Sequence, residues 1–361
     1  MDVTPDLLTF EDGSAVTAEQ WASRREQLYD EIIPHEFGGM PPAPEAVEVT
    51  ARATSSIRHW SGVRYHTYEV RCHLPGGETL SLTLSLWIPP GDGPFPVLLD
   101  ADDCWRYFHD DIVHEVLERG NIAASLDRTE AADDDPDTYQ DSGLYRIFED
   151  PDFGVCSAWA WAIHRAVDAL ATIDTADEER VAITGHSRGG KTVLLAGATD
   201  QRIEITNPNN SGIGGAGLNR LKMDGSEVID DFFGSRNIFW FGDGFAEYRH
   251  RDGELPYDNH YLHGLVAPRG MLFTEAYEDL AANPAGTYVA ARAAREVYEL
   301  LGHREKIGWA YRERGHAHKP EDYAALLDFM DRQFHDRDVT RNFQRPLYPN
   351  LDDLLEPVTR E

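Results

Sequence analysis

The stretch Val181-Ala182-Ile183-Thr184-Gly185-His186-Ser187-Arg188-Gly189-Gly190-Lys191 constrains the chain more than any other. An apolar run of β type, Val181 to Thr184, meets a Gly-x-Ser-x-Gly turn. A small-residue helix pattern, Thr192 to Ala198, follows. Strand, sharp turn and helix in that order are the context in which Gly-x-Ser-x-Gly forms a nucleophile elbow. A serine on so tight a turn takes strained backbone angles, and side chains at the flanking glycine positions would collide with the neighbouring strand and helix. The turn presents the Ser187 hydroxyl at the top of a parallel sheet, beside a helix N-terminus that favours developing negative charge.

The rest of the chain supplies a sheet of that kind. Thr17-Ala18-Glu19-Gln20 reads as a capping box opening a helix near 18–32, which the Pro-rich run Met40 to Pro44 ends. Residues 63–72 and 79–88 alternate as a hairpin around Pro75-Gly76-Gly77-Glu78. Buried strands follow at 95–100 and 122–126 with a helix near 111–119 between them, and an amphipathic helix at 157–172 leads to the strand at 180–184. Strands at 203–206, 270–275 and 306–312 then alternate with helices near 285–301 and 320–335. Alternation of this kind means a mostly parallel sheet with crossover helices on both faces, an α/β fold of three layers. The expected organisation is one α/β-hydrolase domain over 1–361, with a helix and hairpin extension to about residue 92. A polar, Pro-interrupted tail from about 336 to 361 wraps the surface.

Charge narrows the setting. Asp plus Glu number 64 against 33 Lys plus Arg, a formal net charge of −31, and the lysines are Lys191, Lys222, Lys306 and Lys319 alone. The acids are dispersed, which suggests a surface kept soluble in concentrated salt, where self-repulsion is screened. Nucleic acid and anionic membranes would be repelled. The strongly acidic run Asp127 to Asp137 lacks the spacing of a calcium loop and is expected to be a solvated loop. No window is apolar for long enough to span a membrane, and the acidic N-terminus has no apolar signal region, so a cytoplasmic location is expected. Cys72, Cys104 and Cys156 are odd in number and far apart, as reduced thiols are.

A serine hydroxyl needs a base, and in this fold the order is Ser, then Asp or Glu, then His. The last strand runs into Glu313-Arg314-Gly315-His316-Ala317-His318. His316, directly after the glycine, is the expected base, with His318 its rival. The strand before it ends in Ala276-Tyr277-Glu278-Asp279-Leu280, so Asp279 is the expected acid, with Glu275 and Glu278 as alternatives. His260 and His263 stand at i, i+3 without a surrounding metal-binding pattern, and no metal or organic cofactor is expected.

These residues resemble the glucuronoyl esterases, carbohydrate esterase family 15, and their bacterial and archaeal relatives. The resemblance rests on Gly185-His186-Ser187-Arg188-Gly189-Gly190-Lys191, on Ser211-Gly212-Ile213-Gly214-Gly215-Ala216-Gly217, on Glu254 to His260 and on Leu265 to Gly270. The block from Val16 to Pro42 adds to it, so that most of the chain is covered. The resemblance implies that Ser187 is the nucleophile and His316 the base. Arg188 would steady the oxyanion with its side chain beside backbone N–H groups, and Lys191 would contact the sugar. The fungal-type members carry a glutamate acid just before the Ser-Gly-x-Gly-Gly-Ala-Gly block. Here that position is Asn210, so the acid should come from Asp279, as in relatives that use the later strand. Leu280 and Ala281 stand where the family often has a tryptophan against the uronate. A second oxyanion donor should come from the loop after the strand at 95–100, where Asp102-Asp103-Cys104-Trp105 offers an acidic candidate.

The function expected is therefore hydrolysis of a carbohydrate (uronate) ester, on a small molecule or an oligosaccharide, by a serine esterase working through an acyl-enzyme. Sugar-ester deacetylation is the alternative reaction, and a non-catalytic carbohydrate-binding protein on a hydrolase scaffold the alternative class.

Overall fold

The computed structural model describes residues 5–149, 151–351 and 354–357. Its strands are β1 (Ala46–Ser56), β2 (Arg64–His73), β3 (Thr79–Ile88), β4 (Phe95–Asp100), β5 (Ile122–Leu126), β6 (Ala176–His186), β7 (Ile205–Asn209), β8 (Leu221–Lys222), β9 (Gly270–Ala276), β10 (Ile307–Arg312) and β11 (Glu356–Pro357). Its helices are α1 (Trp21–Phe37), α2 (Asp110–Glu118), α3 (Val155–Leu170), α4 (Arg188–Thr199), α5 (Ile229–Gly234), α6 (Asp243–Ala246), α7 (His260–Val266), α8 (Pro284–Leu300) and α9 (Pro320–Phe334).

Nine strands form one sheet in the order β1-β2-β3-β5-β4-β6-β7-β9-β10, and β8 pairs separately with β11. The hairpin β2–β3 is antiparallel, as its alternation predicts, and joins the sheet through an antiparallel β3–β5 pair. From β5 to β10 every neighbouring pair is parallel. The central strands β4, β5, β7 and β9 are buried along almost their whole length because helices cover both faces, although β7, Ile-Thr-Asn-Pro-Asn, is mostly polar. This is the α/β-hydrolase fold, and its parallel half positions the site. Strands β6, β7, β9 and β10 lie side by side and point the same way, so the loops leaving their C-terminal ends converge on one edge, where open α/β sheets hold their ligands.

Three details depart from the sequence reading. Helix α1 continues through Pro34 to Phe37 and stops at Gly38, whose φ of 70° is left-handed, before the Pro-rich run is reached. Strand β1, not among the expected elements, adds an outer antiparallel partner to β2 and is largely exposed. Helix α3 is buried almost all round. Two of its tryptophans, on different sides of the helix, are covered by loops, Trp159 Nε1 donating to the Ala132 carbonyl at 2.8 Å and Trp161 Nε1 to the Pro42 carbonyl at 2.9 Å. Among the described residues after α9, the segment around Phe343 closes the free edge of β10. Trp309 N–H donates to the Phe343 carbonyl at 2.8 Å, and the Phe343 ring is buried edge-on against Phe329.

Glu36, in the last turn of α1, is fully buried. Burial, reinforced by Asp258 and opposed by Lys191, pushes its carboxyl up to about 8 from an ordinary value of 4.5. The folded chain therefore keeps a proton that the unfolded chain releases, and this residue's contribution to stability falls as pH rises from 4.5 to about 8. The slope is at most about 1.4 kcal/mol per pH unit. Glu36→Gln should remove it. Thermal melts should show the variant gaining on the native protein between pH 5 and pH 8; equal gaps at both pH values would contradict the assignment.

Candidate active site

Ser187 links β6 to α4 at φ 56° and ψ −120°. Hydrogen bonds lock this sparsely populated conformation from three sides. Ser187 N–H donates to the Asn209 carbonyl at 2.9 Å, Lys191 N–H donates to the Ser187 carbonyl at 3.0 Å, and His186 N–H donates to Asp102 Oδ2 at 2.6 Å. The glycines are required by space. A Cβ on Gly189 would strike the Asp102 carboxylate, and one on Gly185 would lie 2.6 Å from the Gly189 carbonyl oxygen. Asp102, offered by the sequence as part of an oxyanion loop, instead braces the elbow from behind. It is fully buried and ion-paired with Arg128, and its own N–H is taken by Asp100 Oδ1 at 2.8 Å.

The carboxylate and imidazole expected from the later strands meet. His316 Nδ1 lies 2.7 Å from Asp279 Oδ2. The same oxygen accepts the Asn210 amide, Nδ2 to Oδ2, at 2.6 Å. Burial would raise the Asp279 pKa, but the hydrogen bond and charge of His316, with the Asn210 bond, outweigh it and hold the group below its ordinary value. Asp279 is thus an anion at neutral pH. The two alternatives for the acid lie elsewhere. Glu275 is fully buried, and burial together with the nearby Asp279 charge drives it well above the carboxylate range, so it is neutral; Glu278 is exposed. His318 does not reach the cleft. It is buried, stacked on Tyr323 at 4.0 Å between centroids, and held far below its ordinary pKa by burial.

The loop that carries His316 is held by one side chain. The Arg312 guanidinium donates to both oxygens of Asp322 at 2.9 and 3.0 Å, to the Glu313 and Gly315 carbonyls at 3.2 Å each, and to the Ala317 carbonyl. The His186 ring packs 4.5 Å from that of His316, with its Nδ1 2.6 Å from Asn209 Oδ1. Burial, then the charge of His316, pushes it down to about 3, so it stays neutral beside the exposed imidazole.

Ser187, Arg188, Lys191, Asn210, Asp279 and His316 line one cleft of about 670 Å³, with Glu227, Phe232 and Trp240 on its other walls. The last three carry no motif and escaped the sequence reading. The Arg188 guanidinium lies 4.3 Å above the Trp240 ring and 3.0 Å from Asp134 Oδ1. That contact corrects the expectation for the acidic run. The segment folds back over the elbow, with Ala131, Ala132 and Arg128 buried and Asp134 only 13% exposed, because Arg128 and Arg188 both need an anion there. Lys191 is buried in the cleft floor. Its ammonium donates to the Ser211 carbonyl at 2.6 Å and the Ile213 carbonyl at 2.5 Å, tying α4 to the Gly-rich loop after β7. His260 and His263 lie in α7, buried in the core and outside the cleft.

A strained serine on a strand-to-helix turn, at the C-terminal edge of a parallel sheet with an imidazole–carboxylate pair in the same cleft, defines an α/β-hydrolase of the serine type. Residues 73–302 match the family described as glucuronyl esterase, fungi. A 4-O-methyl-glucuronoyl methylesterase of Schizophyllum commune is 32% identical over 330 residues, covering 87% of this chain and 77% of the relative. One of Wolfiporia cocos is 31% identical over 364 residues, covering 95% and 85%. Among solved structures, a carbohydrate esterase family 15 glucuronoyl esterase from Caldicellulosiruptor kristjansonii superposes with a TM-score of 0.83. It is 30% identical, covering 98% of this chain and 97% of that one. The chain belongs to the glucuronoyl esterase family and is a carboxylic ester hydrolase.

The Lys191 contacts have a measurable consequence. Lys191→Met keeps the length and removes the donor, leaving two carbonyls short of a partner at about 1–3 kcal/mol each where no water replaces it. The melting temperature should fall by several degrees; an unchanged melt would show that these carbonyls do not depend on the ammonium.

Proposed function

We propose that this chain hydrolyses esters of a hexuronic acid, with Ser187, His316 and Asp279 as its triad. The carrying observation is the 2.7 Å contact between His316 Nδ1 and Asp279 Oδ2 in the cleft that Ser187 lines. Ser187 Oγ attacks the ester carbonyl while His316 Nε2 takes its proton. Asp279 keeps the imidazole oriented and offsets the imidazolium charge. The oxyanion is met by the Arg188 N–H, which at the start of α4 has no intrahelical acceptor, and by the Arg188 side chain. His316 returns the proton to the departing alkoxide, leaving a uronoyl ester on Ser187. Water, deprotonated by the same imidazole, attacks that ester and releases the acid. Two of the three Lys191 donors are occupied by carbonyls, and the reading gives the third to the sugar.

Ser187→Ala should lower kcat on benzyl glucuronate by several orders of magnitude with an unchanged fold, and should abolish labelling by a fluorophosphonate. Asp279→Asn should cost on the order of a thousandfold or more, and Asn210→Ala far less. Labelling of the native protein that survives Ser187→Ala would refute the nucleophile, and full activity in Asp279→Asn would refute the acid. Turnover of acetylated xylo-oligosaccharides without turnover of benzyl glucuronate would redirect the reading to deacetylation.

A salt-rich cytoplasm is the setting this reading favours. The net charge of −31 supports it, as do the three free cysteines. Three of the four lysines have specific duties, Lys191 on its carbonyls, Lys222 on Asp252 at 2.6 Å and Lys306 on Glu204 at 2.8 Å, so that little lysine is left for general surface charge. No helix among the described residues is long and apolar enough to cross a membrane. The melting temperature should rise as KCl increases from about 0.1 M, where the screening length is about 10 Å, to molar levels. A midpoint that is flat or falling over that range would sink the idea.

A further inference from the structure

We propose that Asp134 is a positioning residue for the esterase reaction, holding the Arg188 side chain in the orientation from which it meets the oxyanion. The inference rests on the reading of Arg188 given above and adds the group through which that arginine is set.

The geometry of the carboxylate carries the argument. Asp134 Oδ1 accepts from Arg188 Nη1 at 3.0 Å and from Trp240 Nε1 at 3.3 Å, while Oδ2 accepts from Arg128 Nη2 at 3.4 Å. The same Trp240 presents its ring face to the Arg188 guanidinium at 4.3 Å. One carboxylate therefore fixes both the arginine and the ring on which it lies. Arg188 Nε is enclosed and has no hydrogen-bond partner among the described residues, although Arg188 lines the cleft beside Ser187. One side of the guanidinium is clamped by Asp134, while the side chain as a whole keeps 30% of its surface exposed and lines the cleft.

The clamp is continuous with the elbow. Arg128 is fully buried, 4.4 Å from the Trp105 ring and 4.6 Å from the Trp159 ring, and pairs with Asp102. Asp102 in turn accepts the His186 N–H. Asp102, Arg128 and Asp134 thus connect the backbone that carries Ser187 to the side chain of Arg188. Two carboxylates and two guanidiniums balance in charge, so the device supplies direction instead of excess positive potential. An arginine already held in place meets developing charge without reorganising, and that is the condition under which such donors contribute most. The acidic run, which on composition alone should be solvated, is ordered here for that reason.

The test is a double-mutant cycle on benzyl glucuronate with Asp134→Ala and Arg188→Ala. Arg188→Ala should lower kcat on the order of a hundredfold, the usual cost of one oxyanion donor. Asp134→Ala should lower kcat roughly tenfold with KM within about twofold, and should cost nothing further in the Arg188→Ala background. A purely structural role would be independent of Arg188 and would give losses that multiply. Asp134→Asn keeps the volume and an acceptor oxygen, and should recover most of the kcat lost in Asp134→Ala. The cycle is also run with Asp134→Leu, which keeps the volume but has no acceptor, so that it stands if Asp134→Ala unfolds. Losses that multiply, or wild-type kcat in whichever of the Asp134→Ala and Asp134→Leu variants folds, would overturn the inference while leaving Arg188 in its role. Wild-type kcat in Arg188→Ala would overturn the reading beneath it.

Discussion

The backbone of Ser187 is the constraint on which the rest of the site depends. Its φ of 56° with ψ of −120° is a conformation that costs on the order of 1–3 kcal/mol and persists only where the surroundings over-determine it. Those surroundings are drawn from distant parts of the chain. Asn209 at the end of β7 accepts the Ser187 N–H, and Asp102 beyond β4 accepts that of His186. The glycines at 185 and 189 let these partners approach. Neither of these contacts is local, so the turn exists only once β4, β6 and β7 lie side by side. The parallel sheet is therefore more than a platform for Ser187, because it supplies the partners that hold this serine in a conformation the chain would otherwise leave.

Buried charge around the cleft is organised by the same economy of partners. Asp279 is anionic because an imidazole and an amide both point at one of its oxygens, while Glu275, on the strand before it, is enclosed beside that anion and is neutral. Asp102 and Asp134 are matched by Arg128 and Arg188. In a chain with such an excess of acid, the basic groups around the cleft are committed to particular carboxylates or carbonyls. Glu36 and Glu275, enclosed without a paired cation, are kept protonated, and most of the remaining excess is left to the surface, where salt can screen it.

Much of this was legible in the sequence, and the boundary of legibility has a physical basis. The elbow, the hairpin and the alternation of strands with helices are local patterns, and their positions follow within a few residues. Because four adjacent strands are parallel, the residues just after them share an edge, so Asp279 and His316 could be named from their places after β9 and β10. What could not be read depends on pairing across the fold. Nothing local distinguishes Asp134 from Asp133 or Asp135; only the position of Arg188 does. Trp240 and Glu227 enter the cleft from an irregular segment with no period to read. Strand β1 does alternate, Val47, Val49, Ala51 and Ala53 against Glu48, Thr50, Arg52 and Thr54, but it is short of large apolar residues and largely exposed, and α3 looks amphipathic because the loops roofing it lie far from it in sequence.

Positions 210 and 279 limit one another. Asn210 donates to the oxygen of Asp279 that His316 also contacts. A glutamate at 210, as in fungal-type members of the family, would bring a second carboxylate to within contact of the first. Two like charges in one buried site cannot both stay ionised at neutral pH, and one would take up a proton and lose its value to the imidazole. The site can hold an acid after β7 or an acid after β9, but gains little from both. With Asp279 in place, the residue at 210 is best a neutral donor, and an amide fills that need while keeping the carboxylate aimed at His316. Asn210 is in that sense complementary to Asp279. Its neutrality, which alone looks like a missing catalytic group, is what allows the carboxylate on the neighbouring strand to remain charged.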